Sequence, residues 1–340
     1  MKLGIIGLPQ SGKTTVFEAL TGNISGSARK GEERIGTIRV PDSRIDLLSQ
    51  MYGPQKTTFA QVEYFLPGTV AANKDQSIWT VARDCDALIH VIRNHTAMGF
   101  EKKSPDEDFV KMDQELILAD LVVVEKRLER LEHDHKRGKK MDPQEHALLV
   151  ECRQNLETEI PLRRVADLAS ARGLKGFAFL SAKPMLVLFN NDDEDDRLPD
   201  TAKITKEDDL LVIRGKLEQE LAQMSAEDAA DFLNEFNISE SAMDKVIRKS
   251  YNLLGLISFF TVGSDEVRAW SIKGGTEAVD AAGTIHTDMK KGFIRAEVLA
   301  YDDLMDAGNY AAARKKGTVR LEGKNYMVKD GDIINVRFNV

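Results

Sequence analysis

The N-terminal 112 residues alternate short apolar runs with segments of helical spacing. Residues 3–6 predict a strand, residues 7–12 a glycine-rich loop, and the apolar positions of residues 16–20 a helix that ends at Gly22. Further strands are predicted at residues 35–40, 59–66 and 87–92, and helices at residues 45–51 and 78–83. Strands that alternate with helices indicate an α/β domain, built on a parallel sheet that is covered on both faces.

A different pattern begins after about Asp113 and predicts two long helices. Apolar residues then recur at spacings of 4 and 3, as in the seam of a coiled coil; they are Ile117, Leu121, Val124, Leu128 and Leu131. Residues 135–143 break this helix, and helical spacing returns over residues 148–160. Because strand character resumes at residues 185–189, we expect an antiparallel helical hairpin inserted within the α/β domain. A helix over residues 210–224 is expected to complete that domain.

The C-terminal third is rich in short apolar runs and glycine. Strands are predicted at residues 257–262, 266–272, 296–299, 319–321, 326–328 and 333–338. This pattern predicts a small separate α+β module.

Composition limits the classes of protein that the chain can belong to. Its 340 residues include 47 basic and 55 acidic ones, a net charge of −8, so any contact with nucleic acid must use a local patch and DNA is not expected as a partner. Two cysteines, Cys85 and Cys152, are too few for a disulfide framework. No apolar run is long enough to span a membrane or to form a signal peptide. We therefore expect a cytoplasmic protein.

The first loop carries a phosphate-binding motif. Gly7-Leu8-Pro9-Gln10-Ser11-Gly12-Lys13-Thr14 satisfies G-x-x-x-x-G-K-[ST] between a predicted strand and a predicted helix. In such a loop the main-chain N–H groups surround phosphate oxygens, Lys13 reaches the β- and γ-phosphates, and the Thr14 hydroxyl binds Mg²⁺. Thr15 either contacts an α-phosphate or is only a helix residue. The alternative for the whole motif is a chance glycine-rich turn.

A second candidate segment follows the strand predicted at residues 185–189. Asn190, Asn191 and Asp193 lie where open α/β sheets bind ligands, at the carboxyl end of a strand. Asn190 and Asp193 have the spacing of the N-K-x-D element that reads guanine in P-loop GTPases, but Asn191 occupies the lysine position. We predict base contacts here, with Asn190 the strongest candidate. The alternative is that residues 192–196 form a solvated acidic loop.

Three other groups of residues allow more than one interpretation. His90 lies in an apolar strand and is expected to be a packed core histidine, and His286 is expected to have a structural or partner-binding role. The basic residues Lys136, Arg137, Lys139 and Lys140 mark the predicted hairpin tip. Such a tip is either simply solvated or binds the phosphates of RNA.

The chain resembles the Obg-like ATPase family, YchF, of the translation-factor-related P-loop GTPases. The segments that carry the resemblance are the loop at residues 7–14 and, most specifically, LLGLISFFT at 253–261, EVRAW at 266–270, AGTIHTD at 282–288, KGFIRAE at 291–297, LEGK at 321–324 and VKDGDII at 328–334. The resemblance implies a P-loop domain at residues 1–112 and 184–255, a coiled-coil insertion at 113–183 and a TGS domain of ubiquitin-like β-grasp shape at 256–340. It also implies a preference for ATP over GTP in many members, and ribosome association. We expect the contact with the ribosome to use the basic hairpin tip or the TGS domain.

The chain departs from the family pattern at the elements that sense the γ-phosphate. Phe65-Leu66-Pro67-Gly68 stands where the family resembles Asp-x-Ala-Gly, so the carboxylate that holds the water shell of the metal is absent. Residues 28–33 lack the threonine of the first switch, and the glycine-rich stretch after the second switch is shortened to residues 69–76. Thr69 stands where relatives of the wider class carry glutamine, so no catalytic residue is named.

These features predict a protein that binds ATP or GTP with Mg²⁺, hydrolyses it slowly or not at all, and associates with the ribosome or ribosomal RNA in translation or stress regulation. The competing hypothesis is a non-hydrolysing ribosome- or RNA-binding adaptor with a vestigial nucleotide site. A small-molecule kinase is disfavoured by the lack of a catalytic base motif.

Overall fold

The computed structural model describes residues 1–22, 32–68, 78–96, 104–204, 208–235 and 240–339. Residues 28–31 of the first-switch segment and residues 69–76 lie outside these ranges. The chain divides into two compact units, one of Met1–Thr37 and Glu63–Val246, the other of Ile38–Val62 and Ile247–Val340. Within the described ranges, no helix combines the length and apolar character that crossing a membrane requires.

The secondary structure follows the predicted alternation over most of the chain. The strands are β1 (Lys2–Ile6), β2 (Arg34–Arg39), β3 (Lys56–Thr58), β4 (Gln61–Leu66), β5 (Ala87–Asn94), β6 (Met185–Asn191), β7 (Asp209–Ile213), β8 (Leu256–Val262), β9 (Glu266–Lys273), β10 (Phe293–Ala300), β11 (Arg320–Glu322) and β12 (Asp332–Phe338). The helices are α1 (Lys13–Thr21), α2 (Ser43–Tyr52), α3 (Ile78–Ala82), α4 (Pro105–Lys136), α5 (Pro143–Glu157), α6 (Ala166–Ser170), α7 (Gly215–Leu221), α8 (Ala226–Glu235), α9 (Ala242–Leu253), α10 (Ala278–Ile285), α11 (Thr287–Lys291), α12 (Tyr301–Ala307) and α13 (Tyr310–Lys316).

The first sheet has the strand order β2-β4-β1-β5-β6-β7. Strand β1 pairs in parallel with β4 and β5, β5 with β6, and β6 with β7. All seven residues of β6 are buried, as are seven of the eight residues of β5. Near-continuous burial is typical of parallel strands that are covered on both faces. The parallel pairing places the carboxyl ends of β1, β5 and β6 side by side.

The predicted helix over residues 210–224 is wrong at its start. Residues Asp209–Ile213 form β7, which pairs with β6, and the helix begins only at Gly215. Four consecutive apolar residues fit a buried strand as well as part of a helix. They form a strand here because β6 offers an edge to which they can hydrogen-bond. The strand predicted at residues 326–328 is also wrong, because within this segment only Met327 forms a β-bridge, to Glu277.

Residues 38–62 group with the C-terminal unit, whereas the sequence had placed them with residues 1–112. The strand predicted at residues 59–66 begins only at Gln61, as β4. A separate short strand that the sequence did not predict, β3, precedes it and pairs in parallel with β9. The C-terminal sheet accordingly has the order β11-β10-β12-β8-β9-β3. A pairing between strands about 200 residues apart leaves no local signal in the sequence.

The long helix α4 packs on α5 through an apolar cluster. The buried members of this cluster are Ile117, Val124, Leu128, Leu131, Leu149, Cys152, Leu156, Leu162, Leu168, Leu174 and Phe179. The predicted seam residues on α4 are buried except Leu121, which is half-buried. Helix α5 ends at Glu157, before the exposed Ile160.

Asp120 ties α4 to the rest of the first unit. It is completely buried; its carboxylate accepts hydrogen bonds from Arg83 Nη1 at 2.8 Å and from the main-chain N–H groups of Leu180 and Ser181 at 3.0 and 2.7 Å. A buried carboxylate is stable only with partners of this kind. The middle of α4 is therefore held by polar contacts as well as by apolar packing.

Candidate nucleotide-binding site

The loop between β1 and α1 has backbone angles that favour glycine. Gly7 has a φ of 152° and Gly12 a φ of 95°. A Cβ atom at Gly7 would lie 2.4 Å from the main-chain oxygen of Val91, and one at Gly12 would lie 2.1 Å from Asn190 Nδ2. The motif glycines therefore allow the loop to pass close to the ends of β5 and β6.

Lys13 is the first residue of α1, and its side chain turns back along the loop. Its ammonium donates hydrogen bonds to the main-chain oxygens of Gly7 at 2.7 Å and Leu8 at 2.8 Å. Burial lowers the pKa of Lys13. Charge-assisted hydrogen bonds to an anion are stronger than those to neutral carbonyl groups, so a phosphate in the loop would be a better partner for this ammonium.

The other polar residues of the loop differ in exposure. Gln10 and Thr14 are exposed, Thr15 is half-buried and Ser11 is 1% exposed. The Ser11 hydroxyl has no hydrogen-bond partner among the described residues. The exposed hydroxyl of Thr14, in the first turn of α1, is placed where it can meet a hydrated cation.

Asn190 joins the loop between β1 and α1 to α7. Its Nδ2 donates to the main-chain oxygen of Ser11 at 3.1 Å, and its Oδ1 accepts from the main-chain N–H of Gly215 at 3.0 Å. A Cβ atom at Gly215 would lie 2.6 Å from Asn190 Oδ1, so this close approach requires glycine. Sequence reasoning missed Gly215, because the predicted helix ran through it; a glycine that opens a helix directly after a strand was the available signal.

The structure does not bring Asn191 together with the loop. Its Oδ1 accepts from Asn94 Nδ2 and its Nδ2 donates to the main-chain oxygen of Arg197, both at 2.9 Å. Asp193 is exposed, and its carboxylate accepts from the N–H of Leu217 at 3.3 Å, in the first turn of α7. Of the three predicted base contacts, Asn190 is thus the one that touches the loop.

Two further candidates of the sequence lie in the core beside this site. Phe65, at the position of the missing carboxylate, is 1% exposed and belongs to the apolar cluster of the sheet. His90 is completely buried and stacks on Phe109, with ring centroids 5.8 Å apart. Burial lowers the pKa of His90 to about 3, with smaller contributions from Arg163 and Lys13. The prediction of a packed core histidine is confirmed.

The described residues offer little else to a metal ion. They contain no group of three or more His, Cys, Asp or Glu side chains that could hold one. A cation at the loop would therefore rely on the Thr14 hydroxyl, water and the oxygens of a bound phosphate. Mg²⁺, which keeps several of its waters, fits a donor set of this kind.

Comparison with known proteins identifies the family. The family model YchF-GTPase_C, described as a protein of unknown function (DUF933), matches residues 256–339. A Bacillus subtilis (strain 168) protein, Ribosome-binding ATPase YchF, is 37% identical over 361 residues that cover 99% of each chain. The chain belongs to the YchF family. The resemblance seen in the sequence is confirmed.

Other YchF proteins match over the same length. Those of Haemophilus ducreyi and Escherichia coli O157:H7, both named Ribosome-binding ATPase YchF, are 36% and 35% identical over 100% of this chain and 99% of theirs. The structure of the Schizosaccharomyces pombe YchF GTPase superposes with a TM-score of 0.83 at 28% identity, covering 99% of this chain and 97% of that one. A GTP binding protein from Pyrococcus horikoshii shares the fold, with a TM-score of 0.60 at 17% identity over the full length of both chains.

Proposed function

We propose that this YchF protein binds ATP or GTP together with Mg²⁺ at the phosphate loop and couples this binding to association with the ribosome. The observation that carries the proposal is the loop itself. Gly7 and Gly12 bring the main chain against β5 and β6, Lys13 lies within the loop, and Asn190 holds the loop in place. An ordered loop at a helix N-terminus, with a lysine inside it, is a phosphate-binding arrangement.

Each group of the loop has a distinct part in binding. The main-chain N–H groups of residues 10–13 surround the phosphates, and Lys13 exchanges the carbonyl oxygens of Gly7 and Leu8 for phosphate oxygens. Thr14 holds Mg²⁺, which neutralises phosphate charge when bound. Asn190 and Asp193 lie at the base end, and family resemblance favours adenine there. Thr15 and Asn191 contribute less, since Asn191 is engaged by Asn94 and Arg197.

We expect slow hydrolysis or none. Phosphoryl transfer needs a positioned water and groups that stabilise charge in the transition state. Phe65 replaces the carboxylate that relatives use near the metal, and it is buried in the core, so it provides neither function. No catalytic residue is assigned.

Ribosome association is proposed from the relatives, which are named ribosome-binding ATPases. We assign it to a coiled-coil hairpin formed by α4 and α5 or to a C-terminal TGS domain. All four basic tip residues are exposed: Lys136, Arg137, Lys139 and Lys140. The protein would then work in the cytoplasm, with ribosomal RNA rather than DNA or a membrane as its partner.

A second candidate function is a ribosome- or RNA-binding adaptor that does not hydrolyse nucleotide and whose nucleotide site is vestigial. Phe65 and the engagement of Asn191 away from the loop favour it. The intact Lys13 and Thr14 favour a working site.

Calorimetric titration separates the two. Wild type and Lys13→Ala are titrated with non-hydrolysable ATP and GTP analogues, with and without Mg²⁺. Lys126→Ala, which removes an exposed lysine of α4, is the matched control. The proposal expects binding by wild type and by the control, and its loss in Lys13→Ala. If wild type binds neither analogue, the site is vestigial and the adaptor hypothesis holds.

A further inference from the structure

Arg93, near the end of β5, is a buried cation that the sequence did not single out. It is 7% exposed, and it forms no hydrogen bond or ion pair with any described residue. None of its nitrogens is among the fully buried unpartnered atoms of the described residues, so the charged guanidinium tip reaches solvent, with five N–H donors that no described residue uses. An arginine in this state is suited to a ligand rather than to the packing of the fold.

The alternation of side chains along β5 shows which face Arg93 occupies. His90 stacks on Phe109 of α4, and Ile92 packs in the same apolar cluster. Asn94, two residues further on, bonds to Asn191 on that face. Because successive residues of a strand point to opposite faces, Arg93 lies on the face away from α4.

This is the face that meets the phosphate loop. Arg93 is paired in register with Asn190, and Asn190 lies on the opposite face of β6 from Asn191. Asn190 contacts the loop at Ser11 and Gly12, while the carbonyl oxygen of Val91 lies against Gly7. The loop therefore passes along the ends of β5 and β6, beside Arg93.

Arg93 also lies close enough to the residues that follow β5 and β6 to act on their charges. The pKa of His95 is lowered chiefly by burial, raised by Asp192 and lowered again by Arg93, so these three charges act on one another after β5 and β6 end. Lys13, in contrast, is bonded to Gly7 and Leu8 at the start of the loop.

We propose that Arg93 stacks its guanidinium plane on the purine base of the bound nucleotide. The inference rests on the proposed nucleotide-binding function. Arginine stacks on aromatic faces through its planar, weakly hydrated cation, and the flat face of a purine is such a partner. Asn191 occupies the lysine position of the N-K-x-D element, so β6 provides no cation next to the base. In this proposal Arg93 provides that cation from β5. Stacking uses the ring face and so serves adenine and guanine alike.

The test uses the full chain and three probes: a non-hydrolysable ATP analogue, its GTP counterpart and inorganic tripolyphosphate. Arg93→Met keeps an unbranched apolar stem but removes the charge and the plane, whereas Arg93→Lys keeps the charge and removes the plane. We expect Arg93→Met to lose about tenfold in affinity for both nucleotides and nothing for tripolyphosphate. Arg93→Lys recovers only part of the loss, because lysine is not equivalent to arginine at a stacked site.

Other outcomes overturn the inference. Equal losses for tripolyphosphate would make Arg93 a phosphate contact, a loss for one purine only would indicate reading of the base edge, and unchanged affinity would leave a structural role. If Arg93→Met fails to fold, Arg93→Lys is used instead. A loss of affinity for both nucleotides but not for tripolyphosphate then supports stacking, and any other pattern contradicts it. Lys13→Ala distinguishes the two proposals: it weakens all three probes if the loop binds phosphate, and it leaves them unchanged if the proposed function itself fails.

Discussion

The side-chain amide of Asn190 donates a hydrogen bond of 3.1 Å to the main-chain oxygen of Ser11, 179 residues earlier in the chain. The same amide accepts a bond from the N–H of Gly215, so one buried side chain joins β6, the phosphate loop and the start of α7. The shape of the loop thus depends on a residue that belongs to another part of the sequence.

Replacing Asn190 by alanine should weaken nucleotide binding and lower stability together. The substitution leaves the oxygen of Ser11 and the N–H of Gly215 without partners, a loss of about 1–3 kcal/mol for each buried group. We expect triphosphate affinity to fall at least about tenfold, because the loop loses its support. Calorimetry gives the affinity, and urea denaturation gives the free energy of unfolding.

Asn191→Ala is the matched control for this prediction. It removes two hydrogen bonds from the neighbouring residue, those to Asn94 and Arg197, on the opposite face of the sheet. A similar loss of stability with a much smaller loss of triphosphate affinity than in Asn190→Ala is expected. Equal losses of affinity in the two variants would show that any damage to the end of β6 disables the loop.

The sequence predicted the strand, loop and helix at residues 2–21 because the motif and its flanking pattern are contiguous. The same holds for β6, whose apolar run ends in polar residues. It failed at β7, where four apolar residues fit two structures, and at β3, whose partner β9 lies about 200 residues away. Arg93 was missed because its position beside the loop and its lack of a partner among the described residues depend on three-dimensional neighbours, and one arginine at the end of an apolar strand carries no motif.

His90 should make the protein less stable as the pH falls. Its pKa is about 3 in the folded protein and about 6.5 in the unfolded chain, so between these values the unfolded state binds more protons. The free energy of unfolding that depends on neutral His90 is fully present above pH 6.5 and is lost as the pH falls towards 3. At pH 4.5 the free energy lost is about 3 kcal/mol, from about 1.4 kcal/mol per pH unit.

The measurement compares wild type with His90→Leu by denaturant unfolding between pH 4.5 and 8. The free-energy difference between the two proteins should be constant above pH 7 and should shift in favour of the variant at lower pH. Parallel curves across the whole range would mean that His90 is protonated without cost in the folded state.

Asp120→Ala should be among the most destabilising single changes in the first unit. It leaves Arg83 and two buried N–H groups without their shared acceptor, and breaking a buried ion pair from one side costs about 3–5 kcal/mol. Asp134→Ala on the same helix is the control, since the Asp134–Lys139 pair is exposed to solvent and exposed pairs contribute little to stability. Comparable free energies of unfolding for the two variants would contradict the structural role assigned to Asp120.

The hairpin tip should carry part of the affinity for the ribosome. Lys136, Arg137, Lys139 and Lys140 are exposed, and only Lys139 has an ion-pair partner among the described residues, Asp134. Replacing all four by glutamine should weaken association and flatten its salt dependence, because each lost phosphate contact reduces the slope of affinity against salt. Stability should change by less than about 0.5 kcal/mol per residue, as is usual at exposed positions. Sedimentation with ribosomes across a salt series measures both the affinity and the slope.

The control variant for the tip removes four positive charges, the same number, from other exposed positions, Lys111, Lys126, Arg130 and Lys175. If net charge alone governs binding, both quadruple variants lose affinity equally and the assignment to the tip is wrong. If the tip binds RNA phosphate, the tip variant binds the ribosome more weakly than the control does, and its affinity depends less steeply on salt concentration. A tip variant that binds like wild type would instead move the contact to the C-terminal unit, because the exposed cations of the hairpin tip would then have no part in it.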